Sequence, residues 1–426
     1  MDRRIVRTVV LVAALVGLVV AGSLVSNRLW GGKPEAVVER GPLRVEAGMT
    51  VAQFGTVNNL PEELLKEVFG LKAKADLERK VGEFGLADAA LASKVEKALA
   101  FAAQEGSKNW VKILLKFVVW FAFLGMVFTL MRRGRITPRV RKRLYLGAAL
   151  LFGVILGSDP SPMGTVKDAV VLLGKSGIIF PPRMIALTVF LALVVAANKF
   201  ICAWGCQVGT LQDLIFRLGR DDADRKGILR QFKLPFAVTN SVRIIFFAAL
   251  TLAAFGWATD IVEPIDPFRL YNPTAIGLAG GIFAGAILIA GLFVYRPWCH
   301  LLCPFGLVGW LAEKISVYRI RVNYDTCIAC RKCEAACPST VMGAILTREK
   351  KTIPDCFACG TCLTTCPTGS VRFDRVRREL PPAEKFKKKT TDHDEARKRA
   401  GVQEEENTHG GRGGLRPPKV RDSSLS

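Results

Sequence analysis

The sequence predicts a polytopic α-helical membrane protein of about six spans, partly built from two parallel, duplicated helix hairpins. A small cysteine-rich α+β domain follows them. Three observations predict this. Apolar segments run near 5–26, 111–131, 144–158, 184–201, 236–257 and 274–295, most of them long enough to cross hydrocarbon. Half of the 426 residues are apolar, yet the formal net charge is +23, a combination that suits a membrane protein with its basic residues gathered on one side. All twelve cysteines lie between 202 and 366.

The spans divide the chain into a membrane anchor over 1–31, an exported helical region over 32–110 and a membrane domain over 111–315. The cysteine domain covers 316–375 and a basic, disordered tail 376–426. Arg3, Arg4 and Arg7 precede the first span, and a run from Arg132 to Arg143 separates the second from the third. Arg217, Arg220, Arg225, Lys226, Arg230 and Lys233 separate the fourth from the fifth. The opposite loops carry few cations, so the positive-inside rule places both termini in the cytoplasm of a bacterial inner membrane. The first span reads as an uncleaved anchor; its alternative is a cleaved signal peptide. Basic residues that flank apolar segments do not form one soluble patch, so no nucleic-acid partner is expected.

The exported region carries "LPEELLKEVFGL", with Leu64, Leu65, Val68 and Leu71 at helical spacing. It reads as a small cap or as a docking surface for an exported partner. The tail, rich in Lys, Arg, Glu, Gly and Pro, has no core to fold around.

The most specific signal lies at 327–366. "CIACRKCEAACPS" and "CFACGTCLTTCPT" are two copies of C-x2-C-x2-C-x3-C-P. In two-cluster ferredoxins three cysteines of such a run bind one cubane and the fourth crosses to the other. Cys327, Cys330, Cys333 and Cys366 are therefore assigned to one [4Fe-4S] cluster. Cys356, Cys359, Cys362 and Cys337 are assigned to a second. The domain is expected to fold as a bacterial 2[4Fe-4S] ferredoxin, with "MGAILTREKKTI" as a short hairpin or strand-turn between the motifs. Zinc knuckles would need paired CxxC motifs and leave the triple spacing unexplained. Only His300, His393 and His409 are present and no CxxCH occurs, so no haem is expected.

Two further cysteine pairs close the apolar hairpins: Cys202 and Cys206 in "CAWGCQVG", and Cys299 and Cys303 in "CHLLCPFG". If each pair sits at i, i+4 of one helix, its thiols share a face. Side-by-side packing of the hairpins would then bring four thiols together at the cytoplasmic edge. One reading is a further metal or iron–sulfur site; the other is small buried thiols packing at helix ends. Gln207 replaces the proline found at 304 but removes no thiol.

Weaker features complete the pattern. Lys199 and Arg243 are expected to snorkel at span ends, and Trp257, Tyr271, Trp298 and Trp310 to anchor at the interface. Gly277, Gly281 and Gly285 suggest helix packing. Asp159, Asp260, Glu263 and Asp266 lie in outward loops, as helix caps or as proton acceptors.

The paired CxxxC(P) motifs followed by two ferredoxin motifs resemble the NapH/NosR-type membrane polyferredoxins over about 140–375. The resemblance implies electron transfer between the quinone pool and an exported reductase or its maturation factors. The chain departs from the family's flavin-bearing members, because 33–110 is too short and too helical for their exported domain. Two functions remain. One is an electron-transfer subunit between quinol, or a cytoplasmic donor, and an exported redox partner, rather than a stand-alone enzyme. The other is an assembly factor that keeps a metal reduced during insertion into a respiratory enzyme.

Overall fold

The computed structural model describes residues 3–30, 43–46, 48–71, 73–106, 110–347, 353–375, 377–382 and 385–386. The described residues up to Leu380 form one compact unit. The basic tail predicted from 376 lies almost wholly outside the described residues.

Helix α1 (Arg3–Trp30) is followed by a capping group of three helices. In this group α2 (Val51–Val57) starts at a capping box between Thr50 and Gln53. α3 (Glu62–Phe69) stops at Gly70 in the left-handed conformation, and α4 (Asp88–Gly106) closes the group. Phe54, Leu64, Leu65, Val68, Leu91 and Val95 give it a core of its own, as the apolar spacing predicted.

The chain then enters α5 (Trp110–Arg132) and α6 (Pro138–Ala149), which continues as a π-helical turn over Leu150–Ile155. α7 (Pro162–Ser176) and α8 (Pro181–Ala197) form an antiparallel pair, each opened by proline at its first turn. Two short pieces follow, α9 (Phe200–Trp204) and α10 (Gln207–Leu218). The chain continues through α11 (Phe236–Trp257) and α12 (Leu278–Phe293) into two more short pieces, α13 (Pro297–Leu301) and α14 (Pro304–Glu313). α7 packs on α8, α11 and α14, and α10 lies against α6 and α12.

Three described helices, α1, α5 and α11, are long and apolar enough to cross a membrane. α8 and α12 are apolar but shorter. Helix α7 is packed into the body through buried Met163, Val166 and Val171. The glycines expected to pack helices do not: a Cβ on Gly277, Gly281 or Gly285 would meet nothing within 4 Å.

The cysteine domain is small. β1 (Arg319–Val322) pairs antiparallel with β2 (Val371–Asp374) in the register Arg319 to Asp374. Between them lie α15 (Lys332–Ala336), α16 (Val341–Thr347) and α17 (Thr361–Thr365), with α15 packed on α17. The hairpin expected after the first motif is instead α16. Val341, Met342, Ile345 and Leu346 fall on one helical face and all four are buried, which favours the helix. The remainder of that stretch, 348–352, lies outside the described residues.

Candidate functional site

The two ferredoxin-type loops are built alike. Ala329 and Ala358, each two residues after the first cysteine of its motif, have φ of 54° and 49°. Arg331 and Gly360, two residues further on, have φ of 52° and 76° and start α15 and α17. Left-handed residues at matched positions curl each loop so that its backbone N–H groups face inward, a geometry suited to an anionic cluster. Cys337, Cys356, Cys359 and Cys362 line one cavity, the set expected from the crossing rule. The thiols that act electrostatically on Cys333 are Cys366, Cys327 and Cys330, the other expected set. Hydroxyls sit beside three sulfurs: Thr361 at 3.4 Å from Cys359, Thr368 at 3.6 Å from Cys366 and Ser339 at 3.7 Å from Cys337. Such contacts tune a cluster's potential.

Cys202, Cys206, Cys299 and Cys303 also converge, though not as single helices. Cys202 lies in α9 and Cys206 is the residue before α10; Cys299 lies in α13 and Cys303 precedes α14. Each pair therefore straddles a helix break rather than one helical face. The four line one cavity together with Met163, Phe268, Trp298 and Phe357. Gly209 and Gly306 make the breaks possible. A Cβ at Gly209 would lie 2.5 Å from the Cys202 carbonyl oxygen, and one at Gly306 would lie 2.7 Å from that of Cys299. The repeat thus reads base-x2-Cys-x3-Cys-x2-Gly, running from Lys199 to Gly209 and from Arg296 to Gly306.

The cavity is not at the end of the helices. The Trp120 Nε1–H donates to the Gly205 carbonyl at 3.0 Å, and Trp120 is the eleventh of the 23 residues of α5. Trp298 packs edge-on against Phe283, ring centroids 5.9 Å apart, the sixth of the 16 residues of α12. Tyr271 and Phe268, from a loop at the opposite end of the helices from the ferredoxin-type loops, reach the same region, and the Tyr271 hydroxyl donates to the Gln207 carbonyl at 3.1 Å. The chain therefore turns back after α8 and again after α12. Asn198 and Arg296, at φ of 63° and 47°, make these turns.

Buried charges hold the turns. The Lys199 ammonium donates to Asp355 Oδ2 at 2.7 Å and to the Gly306 carbonyl at 3.0 Å. Arg243 reaches the same two acceptors at 3.0 and 3.1 Å. Neither snorkels; both are buried, because Asp355 of the ferredoxin-type domain supplies their counter-charge. Burial alone would raise the Asp355 pKa, but Lys199 and Arg243 hold it well below the ordinary carboxylate range. Arg296 is the counterpart in the other repeat. It donates to Asp213 at 2.5 Å and to the carbonyls of Cys202 and Ala203 at 2.6 and 3.1 Å. Asp213 continues to Arg217, Asp224 and Arg141. Burial would raise the Cys359 thiol, yet Arg217, followed by Arg141, brings it below its usual value.

These cations and acids carried only local signals in the sequence, as flanking charges. Arg217 meets Asp213 and Asp224 within seven positions, but the pairs of Lys199, Arg243, Arg296 and Arg141 join residues 83 to 156 positions apart. Tyr271 and Trp298 are likewise packed inside at 3% and 1% exposure, not at an interface. Trp257, at 76%, does lie outside. Between α11 and α12, Asp260 pairs with Lys167 at 2.7 Å, Glu263 pairs with Arg269 at 2.7 Å, and Asp266 accepts from the Phe268 N–H at 2.9 Å.

The donor sets fit iron–sulfur chemistry. All three are thiols, the ligands that iron clusters favour.

Comparison with known proteins agrees with this chemistry. A 4Fe-4S dicluster domain model matches residues 319–367. A second model, a 4Fe-4S binding domain, matches twice, at 179–226 and 276–323, and so contains both CxxxC pairs. The chain is 31% identical over 170 residues to the putative electron transport protein YccM of Escherichia coli, covering 37% of this chain and 46% of that protein. It is 28% identical to the methylamine utilization ferredoxin-type protein MauN of Methylorubrum extorquens, over 44% of this chain and 62% of that one. It is 27% identical to the regulatory protein NosR of Pseudomonas aeruginosa, over 36% of this chain and 23% of that one. The chain thus spans less than two thirds of each of these relatives. No solved structure matches. With its apolar helices and its three 4Fe-4S matches, the chain is similar to 4Fe-4S ferredoxin-type proteins, among them one described as a putative electron transport protein.

Proposed function

We propose that the protein passes single electrons between the quinone pool, or a cytoplasmic donor, and an exported redox partner. In this reading Cys327, Cys330, Cys333 and Cys366 hold one [4Fe-4S] cluster, and Cys337, Cys356, Cys359 and Cys362 hold a second. Cys202, Cys206, Cys299 and Cys303 hold a third iron–sulfur centre. Clusters of this kind supply one-electron exchange at potentials set by charge and hydrogen bonding. The chain's own residues would position, insulate and tune them.

One observation carries the reading. Phe357 lines both the cavity of Cys337, Cys356, Cys359 and Cys362 and the cavity of the two CxxxC pairs. Phe357 is the lining residue that the two cavities have in common. Its ring is also packed against His300 and lies under the Lys199 and Arg296 cations. The position of the CxxxC cavity, beside the middle of α5 and in reach of Phe268, supports a path that leads away from the ferredoxin-type domain towards the cap side. Anaerobic iron and acid-labile sulfide counts with EPR test the assignment. Cys202→Ser and Cys299→Ser are expected to remove one centre and spare the two ferredoxin-type signals. Twelve-cysteine protein with the iron content of two clusters, unchanged in both variants, would return the CxxxC pairs to packing.

Met163 favours a second reading. Its thioether lines the CxxxC cavity and is almost fully buried, a soft donor beside four thiols that also suits a reduced metal such as copper. An assembly role predicts that deletion leaves the partner enzyme without its metal. Electron transfer predicts an intact partner that receives no electrons.

A further inference from the structure

We propose that a basic cleft on the ferredoxin side of the membrane binds the phosphate headgroup of an anionic phospholipid. The cleft has a volume of about 260 Å³ and lies between the segment after α10 and the loop that carries Cys337. Arg220, Arg225, Arg230 and Lys233 line it, and no acidic side chain does. Arg225, Arg230 and Lys233 face one concavity that no acidic side chain lines, with Arg220 paired to Asp224 behind them, and such a concavity forms a site for an anion. The Arg220 Nε is buried and makes no hydrogen bond, with Asp224 as an ion-pair neighbour at 3.4 Å. The opposite wall is Ala335 and Pro338, and the Lys233 ammonium donates to the Glu334 carbonyl at 2.8 Å. The cleft is therefore shaped by tertiary packing and not by one flexible loop.

Its position identifies the anion. Lys233 lies three residues before α11, one of the helices long and apolar enough to span. Phe232, in the cleft wall, is 46% exposed, and Val238 on the first turn of α11 is 54% exposed. Cations in the cleft thus stand directly over apolar surface that faces lipid. A phosphodiester with acyl chains matches both parts: the phosphate meets the guanidiniums and the chains run down α11. Basic pockets at span ends are places where anionic headgroups settle. A soluble phosphate would use only the polar half. This inference rests on the chain lying in a membrane and not on which cysteines hold clusters.

Native mass spectrometry of the full-length protein in neutral detergent with defined lipids tests it. Phosphatidylglycerol is expected to stay bound in preference to phosphatidylcholine. Arg225 and Arg230 are exposed, so Arg225→Gln/Arg230→Gln should fold normally. Removing two charges is expected to weaken phosphatidylglycerol retention about thirtyfold, at about 1 kcal/mol for each charge. The control Arg133→Gln/Arg135→Gln removes equal charge from the loop between α5 and α6 and should change retention little. Equal losses in both variants, or no preference for phosphatidylglycerol, would overturn the proposal. So would inorganic phosphate that competes at concentrations equal to the lipid, since the site would then serve a soluble anion.

Discussion

At the scale of single residues, buried charge decides the behaviour of this molecule. Lys199 and Arg243 share Asp355 as their counter-ion, and all three are almost wholly removed from water. Asp355→Asn leaves two buried cations without a negative partner, and breaking such a pair from one side costs about 3–5 kcal/mol. A correspondingly lower unfolding midpoint in detergent is expected, with loss of the ion pairs that join the ferredoxin-type domain to Lys199 and Arg243. Asp266 makes the opposite case. Burial raises its pKa to about 6, against the pull of Lys167. The folded state then holds a proton that the unfolded chain releases near pH 4, so stability falls as pH rises from about 4 to about 6 and is level above that. Asp266→Asn keeps an acceptor for the Phe268 N–H and removes the ionisation. Its unfolding midpoint should lose that slope; an unchanged slope would assign the titration to another group.

At the scale of elements, the two breaks that carry the CxxxC pairs are the features to test. Gln207 is the first residue of α10, as Pro304 is of α14. The first N–H of a helix has no partner within it, so proline fits there. Gln207→Pro should therefore keep the helix start, and as Gln207 is buried, a stability change within about 0.5–3 kcal/mol is expected from its side chain alone. Gly209→Ala is different, because its Cβ would lie 2.5 Å from the Cys202 carbonyl oxygen. Overpacking of this kind costs about 1–3 kcal/mol, and the widened break should lower iron bound at the CxxxC site. Thermal unfolding and iron content measured on both variants separate a tolerated helix start from a contact that shapes the cavity. If Gly209→Ala binds iron as the wild type does, the close approach has no part in forming the site.

At the scale of the whole molecule, the prediction concerns the wall between two thiol sets. Phe357→Leu keeps an apolar side chain of adequate volume, so stability should fall by less than about 1.5 kcal/mol. Iron content should also be kept. What should slow is electron exchange between the ferredoxin-type clusters and an acceptor added on the cap side, followed by the absorbance of the reduced clusters. An unchanged rate with full iron content would show that electrons leave the ferredoxin-type domain by another route. The ordered hydroxyls beside Cys359, Cys366 and Cys337 belong to the same scale, since they tune the potentials between which such exchange runs.

The sequence by itself determined the ligand chemistry and its duplication. Two ferredoxin-type runs, two CxxxC pairs and the apolar segments that bear them are local patterns, and local spacing is what a tight loop needs to aim its sulfurs. It also determined the cap, whose apolar residues recur at helical spacing and form its core. Only the tertiary structure decided where the CxxxC pairs stand. The chain turns back at Asn198 and Arg296, and this brings the CxxxC segments beside the middles of other helices and not to their ends. The reason is long-range. Lys199 and Arg243 wait for Asp355, and Arg296 for Asp213. A cation near a span end reads as a surface residue until the acid that buries it is folded against it.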